Sequence, residues 1–224
     1  MISTNDFAAT ALDARGHSSA TLYEAAQTET RLRAAAGAAQ DVTQEADIAV
    51  DPAICAAWPG AKLSGPAFTV QGAGGDNLAL HHAVAAAPPG HVLFADVGGA
   101  AFGHWGEVLT VAAQHRQIAG LVIDGGVRDV DEMRQLGFPV FSRNNSVRGT
   151  RKLFGGALGV DIHIGGVPVR TGDLVVGDAD GLVVVPRHRA AAVLDHADQR
   201  VRSESEIIAA LRAGSTTLDL YGLG

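Results

Sequence analysis

The chain has 224 residues, 47% of them apolar and 18% charged, with a formal net charge of −7. Such a composition can bury a full core, which excludes a disordered chain, and its acidic balance excludes a general nucleic-acid binder, whose footprint is basic. The single cysteine, Cys55, cannot form an internal disulfide and fits a reducing compartment. No segment has the apolar length to span a bilayer, and the opening MISTNDFAATALDARG lacks the charged-then-apolar plan of a secretory signal. The expectation is a cytoplasmic protein with no membrane partner and no direct nucleic-acid contact.

Taken in chain order, residues 1–62 read as mostly helical and alanine-rich. Ser18-Ser19-Ala20-Thr21 is placed to cap a helix beginning near Leu22, and Pro52 and the WPG at 58–60 interrupt the helical pattern. GPAFTVQG (65–72) is a strand and DNLALHHAVAAA (76–87) a helix, stopped by PPG at 88–90. VLFADVGG (92–99), EVLTVAAQHRQ (107–117) and AGLVIDGG (119–126) then read as buried strand, helix and buried strand. DVDEMRQLG (129–137) is a short helix and FPVFSR (138–143) another strand. Residues 161–186 break into short β runs separated by GG, TGD and DADG turns, and 187–214 form a long helix closed by Gly214. These elements predict one α/β domain: a helical N-terminal part (1–62), an α/β core (63–186), and a C-terminal helix and tail (187–224).

The 92–126 unit carries the chemistry. If its two strands run parallel, the start of the helix and the end of the second strand meet at the carboxyl edge of the sheet. Gly106 and Glu107 open that helix, and Arg128-Asp129 leaves that strand. Unsatisfied N–H groups of Glu107, Val108 and Leu109 would welcome a carboxylate, and the forked donors of Arg128 suit a carboxylate or an enolate oxygen. Asp129 and Glu107 are hard oxygen donors of the kind that hold Mg²⁺ or Mn²⁺ partly through water. A crevice equipped in this way can stabilise charge on the ketone oxygen of a 2-oxo acid, which C–C cleavage beside a pyruvyl group requires.

Other motifs have plainer readings beside functional ones. GAGGDN (72–77) follows a strand and opens a helix as a dinucleotide loop does, but Asn77 holds its third glycine position; Asp76 or Asn77 can instead cap the helix or line the crevice. His81-His82 lacks a third metal ligand at useful spacing. His104 is either a substrate contact or a loop histidine with no catalytic role, and DADG (178–181) is a hairpin turn. Glu132 caps or pairs within its own helix. The basic stretch SRNNSVRGTRK (142–152) is a solvated or subunit-contact loop, or a site for a second substrate carboxylate, an acidic partner or RNA.

An acidic residue, twenty intervening residues and then Arg-Asp form a signature here, Glu107…Arg128-Asp129, with Glu132 following. Together with DNLALHHA (76–83), VIDGGVRDVDEM (122–133), IGGVPVRTGDLVVGDADGLVVVP (164–186) and LRAGSTTLDLYGL (211–223), it resembles the family of 4-hydroxy-4-methyl-2-oxoglutarate aldolases and the regulator of ribonuclease activity A. The resemblance runs from about residue 65 to the C-terminus. It implies a single swivelling-type β/β/α domain and a divalent-metal-dependent, class II type pyruvate aldolase, assembled as a trimer or a pair of trimers. It also implies oxaloacetate decarboxylation, since loss of CO₂ leaves the same enolate. On that likeness, Gly106 to Leu109 contact the pyruvyl carboxylate, Arg128 binds substrate and Asp129 holds the cation. A carboxylate from a neighbouring subunit's terminal helix corresponds to Glu204, with Glu206 as the near alternative. The chain departs from the aldolase motif at Glu107, where that motif has Asp, so the named substrate does not carry over. The same family contains proteins that bind and inhibit an RNA-degrading endonuclease, and a related 2-oxo acid decarboxylase or lyase of another pathway is a further alternative.

Overall fold

A computed structural model describes residues 14–37 and 47–224. The sequence expectations for residues 1–13 and 38–46 lie outside the described residues. Helix α1 (Ser19–Ala35) begins where the serines predict, with Ser18 Oγ accepting the Thr21 N–H at 3.2 Å. Beyond it, the segment 47–62 is not helical as its composition suggested. Its backbone groups go instead to neighbouring strands: Val50 N–H to Leu182 O and Val184 N–H to Ile48 O, while β1 (Cys55–Ala56) pairs antiparallel with a later strand. Backbone groups satisfied across a sheet edge override local helix propensity.

The core follows the predicted order: β2 (Leu63–Gln71), α2 (Leu78–Ala86), β3 (Val92–Asp96), α3 (Glu107–His115), β4 (Gly120–Val127), α4 (Val130–Gln135) and β5 (Val140–Asn145). Strands β2, β3, β4 and β5 are mutually parallel neighbours. After them come β6 (Ala157–Leu158), the hairpin of β7 (Ile162–Ile164) and β8 (Val167–Val169), and the hairpin of β9 (Leu174–Gly177) and β10 (Leu182–Val185). Asp178 at the β9–β10 turn accepts the N–H of Asp180, so DADG is a hairpin turn.

Strand β2 joins two pairings: residues 63–66 run antiparallel to β9, and residues 67–71 run parallel to β3. The change occurs beside Gly65, whose φ of +155° and 2.6 Å approach of a hypothetical Cβ to Gly90 O leave room only for glycine. Alternation along the strands loads both faces. Leu93, Ala95, Leu121 and Ile123 face a layer containing Leu80, Leu109 and Met133 from the helices. Val92, Phe94 and Val122 face Ile162, Ile164 and Val184. This two-sided burial is why the strands read as continuous apolar runs.

Helix α5 (Ala190–Arg212) packs its first half on α1 and on β9–β10 through Val193, Leu194 and Ala197. The pair is tied by Arg189, whose guanidinium donates to Glu29 Oε2 at 2.9 Å with both residues under a tenth exposed. The predicted terminal helix ends two residues early, and a further helix, α6 (Thr217–Tyr221), follows with a Thr216–Asp219 capping box. The structure is a mixed α/β fold with a long C-terminal helix.

Candidate functional site

The parallel pairing of β3 with β4 carries the start of α3 to the end of β4, as the crossover geometry requires. The join is made by backbone contacts: Trp105 bridges to Val127, and the Arg128 N–H donates to Trp105 O at 2.9 Å. Trp105 itself is fully buried, stacked on Phe138 and donating from Nε1 to Thr110 Oγ1 at 2.8 Å. The strand end is therefore held rigidly against the loop that begins α3.

Asp129 adopts a left-handed conformation, φ 55° and ψ 44°, one that Asp tolerates better than most residues. It occupies the N-cap position of α4 yet makes no side-chain capping bond there. Its Oδ2 instead accepts the backbone N–H of Glu107 at 3.0 Å. The carboxylate welcomed by the start of α3 is thus the protein's own, which corrects the expectation of a free Glu107 N–H. Thr110 is the residue that returns the first N–H of the helix, to Gly106 O, so the N–H groups of Val108 and Leu109 lie ahead of the intrahelical ladder. Arg128 Nε lies 3.7 Å from Asp129 Oδ2.

This approach needs glycines. A Cβ on Gly106 would meet Asp129 Oδ2 at 2.3 Å, and one on Gly103 would meet Ser146 O at 2.7 Å and Arg128 Cδ at 2.9 Å. Gly106 is extended at φ −166°, so closeness rather than backbone strain selects glycine there.

The result is a cavity of about 150 Å³ to which this corner contributes Gly106, Val108, Leu109, Arg128 and Asp129. That is small beside the several hundred Å³ of a drug-sized pocket and suits a short organic acid. Arg128 and Asp129 also line an adjoining cavity with Val130, Ser146 and Val147. Glu107 is exposed in the first turn of α3; its backbone, not its carboxylate, is what the structure ties to Asp129. Glu132 is exposed on α4. Glu204 lies on α5 beside Arg200, at 2.7 Å, and lines a separate groove with Ala25 and Thr28 of α1. Glu206 is exposed on the same helix.

Three further residues line the crevice from other elements: Asn77, His81 and Lys152. They are brought in by a zipper between the 72–77 loop and the segment after β5. Asn77 N–H donates to Arg151 O and Arg151 N–H to Gly75 O. Asp76 accepts the N–H of Leu78 through Oδ1 and that of Leu153 through Oδ2. Burial opposes ionisation of Asp76, but bonds from Leu78, Leu153 and Phe154, with the charge of Lys152, outweigh it and hold the carboxyl below its usual range. Four N–H groups of the loop that a pyrophosphate would need go elsewhere: Gly72 to Asp96 O, Asp76 to Ala73 O, Asn77 to Arg151 O, and Gly75 to His104 Nε2 at 3.0 Å.

His104 is fully buried and both ring nitrogens are engaged. Accepting from Gly75 makes Nε2 the bare nitrogen, so Nδ1 carries the proton and donates to Gly126 O at 3.3 Å. Burial pushes its pKa down against the carbonyl bonds that favour the charged form. His104 is a brace of the crevice, with no ring nitrogen left for substrate. In the basic stretch, Arg143 is spent on Asp124 and Asp51, whereas Lys152 reaches the crevice. In the sequence Asn77, the histidines and this stretch carry separate signals; the spacing that joins two of them is the four residues from Asn77, the N-cap of α2, to His81, one turn into that helix.

The family description Aldolase/RraA, of the RraA-like type, matches residues 19–184. The chain belongs to this family. A relative from Halalkalibacterium halodurans, provisionally named a 4-hydroxy-4-methyl-2-oxoglutarate aldolase, is 40% identical over 160 residues, covering 68% of this chain and 76% of the relative. The crystal structure of an uncharacterized protein from Pseudomonas syringae pv. tomato is similar at TM-score 0.75 and 31% identity, over 92% of this chain and 89% of that one. Streptomyces coelicolor RraAS2, described as an unusual member of the RNase ES inhibitor RraA family, matches at TM-score 0.68 and 29% identity, over 84% and 90% of the two chains. The Aldolase/RraA family thus includes relatives named as lyases and relatives named as ribonuclease inhibitors.

Proposed function

We propose that the protein is a lyase that releases pyruvate from a 4-hydroxy-2-oxo acid, with oxaloacetate decarboxylation as a second activity of the same site. The observation that carries this reading is the convergence of Arg128, Asp129 and the free N–H groups of the α3 start on one small crevice. A pure binding surface has no need of that set.

Asp129 is the residue that would hold a divalent cation. Among the described residues no group of three or more His, Cys, Asp or Glu side chains is placed to hold a metal. The hard carboxylate oxygens of Asp129 suit an ion that keeps most of its water, Mg²⁺ or Mn²⁺. Such an ion supplies, when bound, positive charge that polarises the ketone of a 2-oxo acid.

The chain's own groups do the rest. N–H groups of Val108 and Leu109 hold the substrate carboxylate at the positive end of α3. Arg128 neutralises the charge that grows on the enolate oxygen as the C3–C4 bond breaks and its electron pair passes toward the ketone. The hydroxyl proton on C4 leaves through water to Glu107, or to Glu204 of a neighbouring copy in a trimer or hexamer, so that C4 departs as an oxo group. The enolate then takes a proton at C3 and leaves as pyruvate.

A lactate-dehydrogenase-coupled assay with Mg²⁺ tests the reading on a panel of 4-hydroxy-2-oxo acids and oxaloacetate, compared by kcat/KM. Absence of pyruvate from every member of that panel would remove it. The likeness to RraAS2 would then favour an inhibitor of an RNA-degrading endonuclease.

A further inference from the structure

The crevice contains two buried polar atoms with no hydrogen-bond partner in the described structure, Asn77 Oδ1 and His81 Nε2. Both residues line the cavity that holds Arg128 and Asp129. Asn77 is only 7% exposed, and burying a polar oxygen without a partner costs on the order of 1–3 kcal/mol. In native sites an ordered water or a bound ligand completes such an atom, and this one lines the cavity a ligand would enter.

The orientation of the Asn77 amide is set by its surroundings. Its Nδ2 donates to His104 O at 3.0 Å, so the amide oxygen, and not the nitrogen, is the unpartnered atom. That oxygen can only accept. The ligand group that completes it must be a donor, and the carboxylates and ketone of a 2-oxo acid are acceptors only. A hydroxyl is the one group of such a substrate that fits.

We infer that Asn77 Oδ1 recognises a hydroxyl group on the substrate, making the crevice selective for hydroxylated 2-oxo acids over their unhydroxylated counterparts. This deepens the lyase reading and rests on it in one respect, that the crevice holds a 2-oxo acid. His81 lies one helical turn further along the same face. Burial, and then the charges of Lys152 and His82, push its pKa down, so the imidazole is neutral near pH 7 and can donate from Nε2 to an acidic ligand without adding a fixed charge. Asn77 is a specificity residue in this scheme: it accepts the hydroxyl hydrogen when the acid binds, and the O–H turns from it to the water before the proton leaves, because an amide oxygen is too weak a base to take that proton.

The test compares 4-hydroxy-2-oxoglutarate with 2-oxoglutarate, which differ by the hydroxyl alone, by titration calorimetry on the full chain in the presence of a chelator, where the proposed cleavage does not consume the ligand. The wild-type protein should bind the hydroxylated acid about tenfold more tightly, the equivalent of one hydrogen bond of about 1.4 kcal/mol. In Asn77→Ala that ratio should fall to about one, and taking the ratio cancels any general loosening of the site. A wild-type ratio near one, or an unchanged ratio in Asn77→Ala, overturns the inference. If the variant does not fold, a wild-type crystal structure with the hydroxylated acid decides. The hydroxyl oxygen should lie about 2.8 Å from Asn77 Oδ1, and a hydroxyl directed elsewhere overturns the inference. A tenfold preference with no pyruvate from any member of the substrate panel in the Mg²⁺ assay would remove the lyase reading and leave hydroxyl recognition standing. Pyruvate release without the preference would do the reverse.

Discussion

The Asp129 carboxylate sits at the head of α4 but caps α3, taking the Glu107 N–H at 3.0 Å. One side chain thereby forgoes stabilising its own helix and locks the corner where β4 ends. The consequence is a carboxylate and a guanidinium on consecutive residues, both lining a cavity at the start of a helix.

Gly106→Ala tests that corner directly. The added methyl would meet Asp129 Oδ2 at 2.3 Å, so the carboxylate must leave the α3 start. Pyruvate release should fall about a hundredfold or more, since a misplacement of about 1 Å at a catalytic centre costs this much. The folded state should survive, because φ at this position is open to alanine. Steady-state kinetics beside a thermal melt give the answer; full activity would mean that Asp129 need not stay where it is.

Arg128→Ala should lower kcat/KM for every pyruvate-releasing substrate by about 10²–10³, the usual loss when one donor to a developing oxyanion is removed. Arg128→Lys should recover only part of that loss, because an ammonium lacks the planar fork. Unimpaired pyruvate release by the alanine variant would dismiss the role assigned to this residue.

A chelator should abolish pyruvate release, and Mg²⁺ or Mn²⁺ should restore it. Asp129→Asn should raise the metal concentration needed for half-maximal activity, because it exchanges a charged ligand for a neutral one. Activity that persists after exhaustive chelation would contradict the proposed use of a cation.

Stability should fall as the pH drops from about 7 to 5. Burial lowers the pKa of His104 and of His91, so the unfolded chain binds protons that the folded one refuses. Their contribution is fully present above the unfolded value of about 6.5 and is lost as pH falls from there through the lower folded value. Denaturant midpoints across this range should show the slope, and His104→Gln should flatten it while lowering stability at pH 7. A pH-independent midpoint would show that these imidazoles are not held neutral.

Arg189→Met should destabilise the protein by about 3 kcal/mol, the lower end for a broken buried pair, because it leaves the buried Glu29 carboxylate to Arg33, 3.7 Å from its Oε1. The double replacement of Arg189 and Glu29 by apolar residues should recover much of that loss. Urea unfolding of the three variants measures both effects.

Much of this was legible in the residues. The apolar runs at 92–96 and 120–127 with a helix between them specify a parallel crossover, since burial on both faces leaves no alternation to expose and a right-handed return is nearly obligatory. That crossover alone predicts that Glu107, Arg128 and Asp129 share one edge, before any coordinates. Local signals failed at 47–62, where pairing with β10 replaced the expected helix, and at the terminus, where α6 follows Gly214.

Tertiary structure alone decided which atoms face the crevice. Whether Asp129 caps its own helix or α3 depends on a left-handed turn that the sequence permits but does not demand. The arrival of Asn77, His81 and Lys152 depends on a zipper between segments far apart in the chain. Periodicity reports the burial of each element against its layer; it carries no record of which distant loops exchange hydrogen bonds, and those exchanges set the direction of every side chain in the cavity.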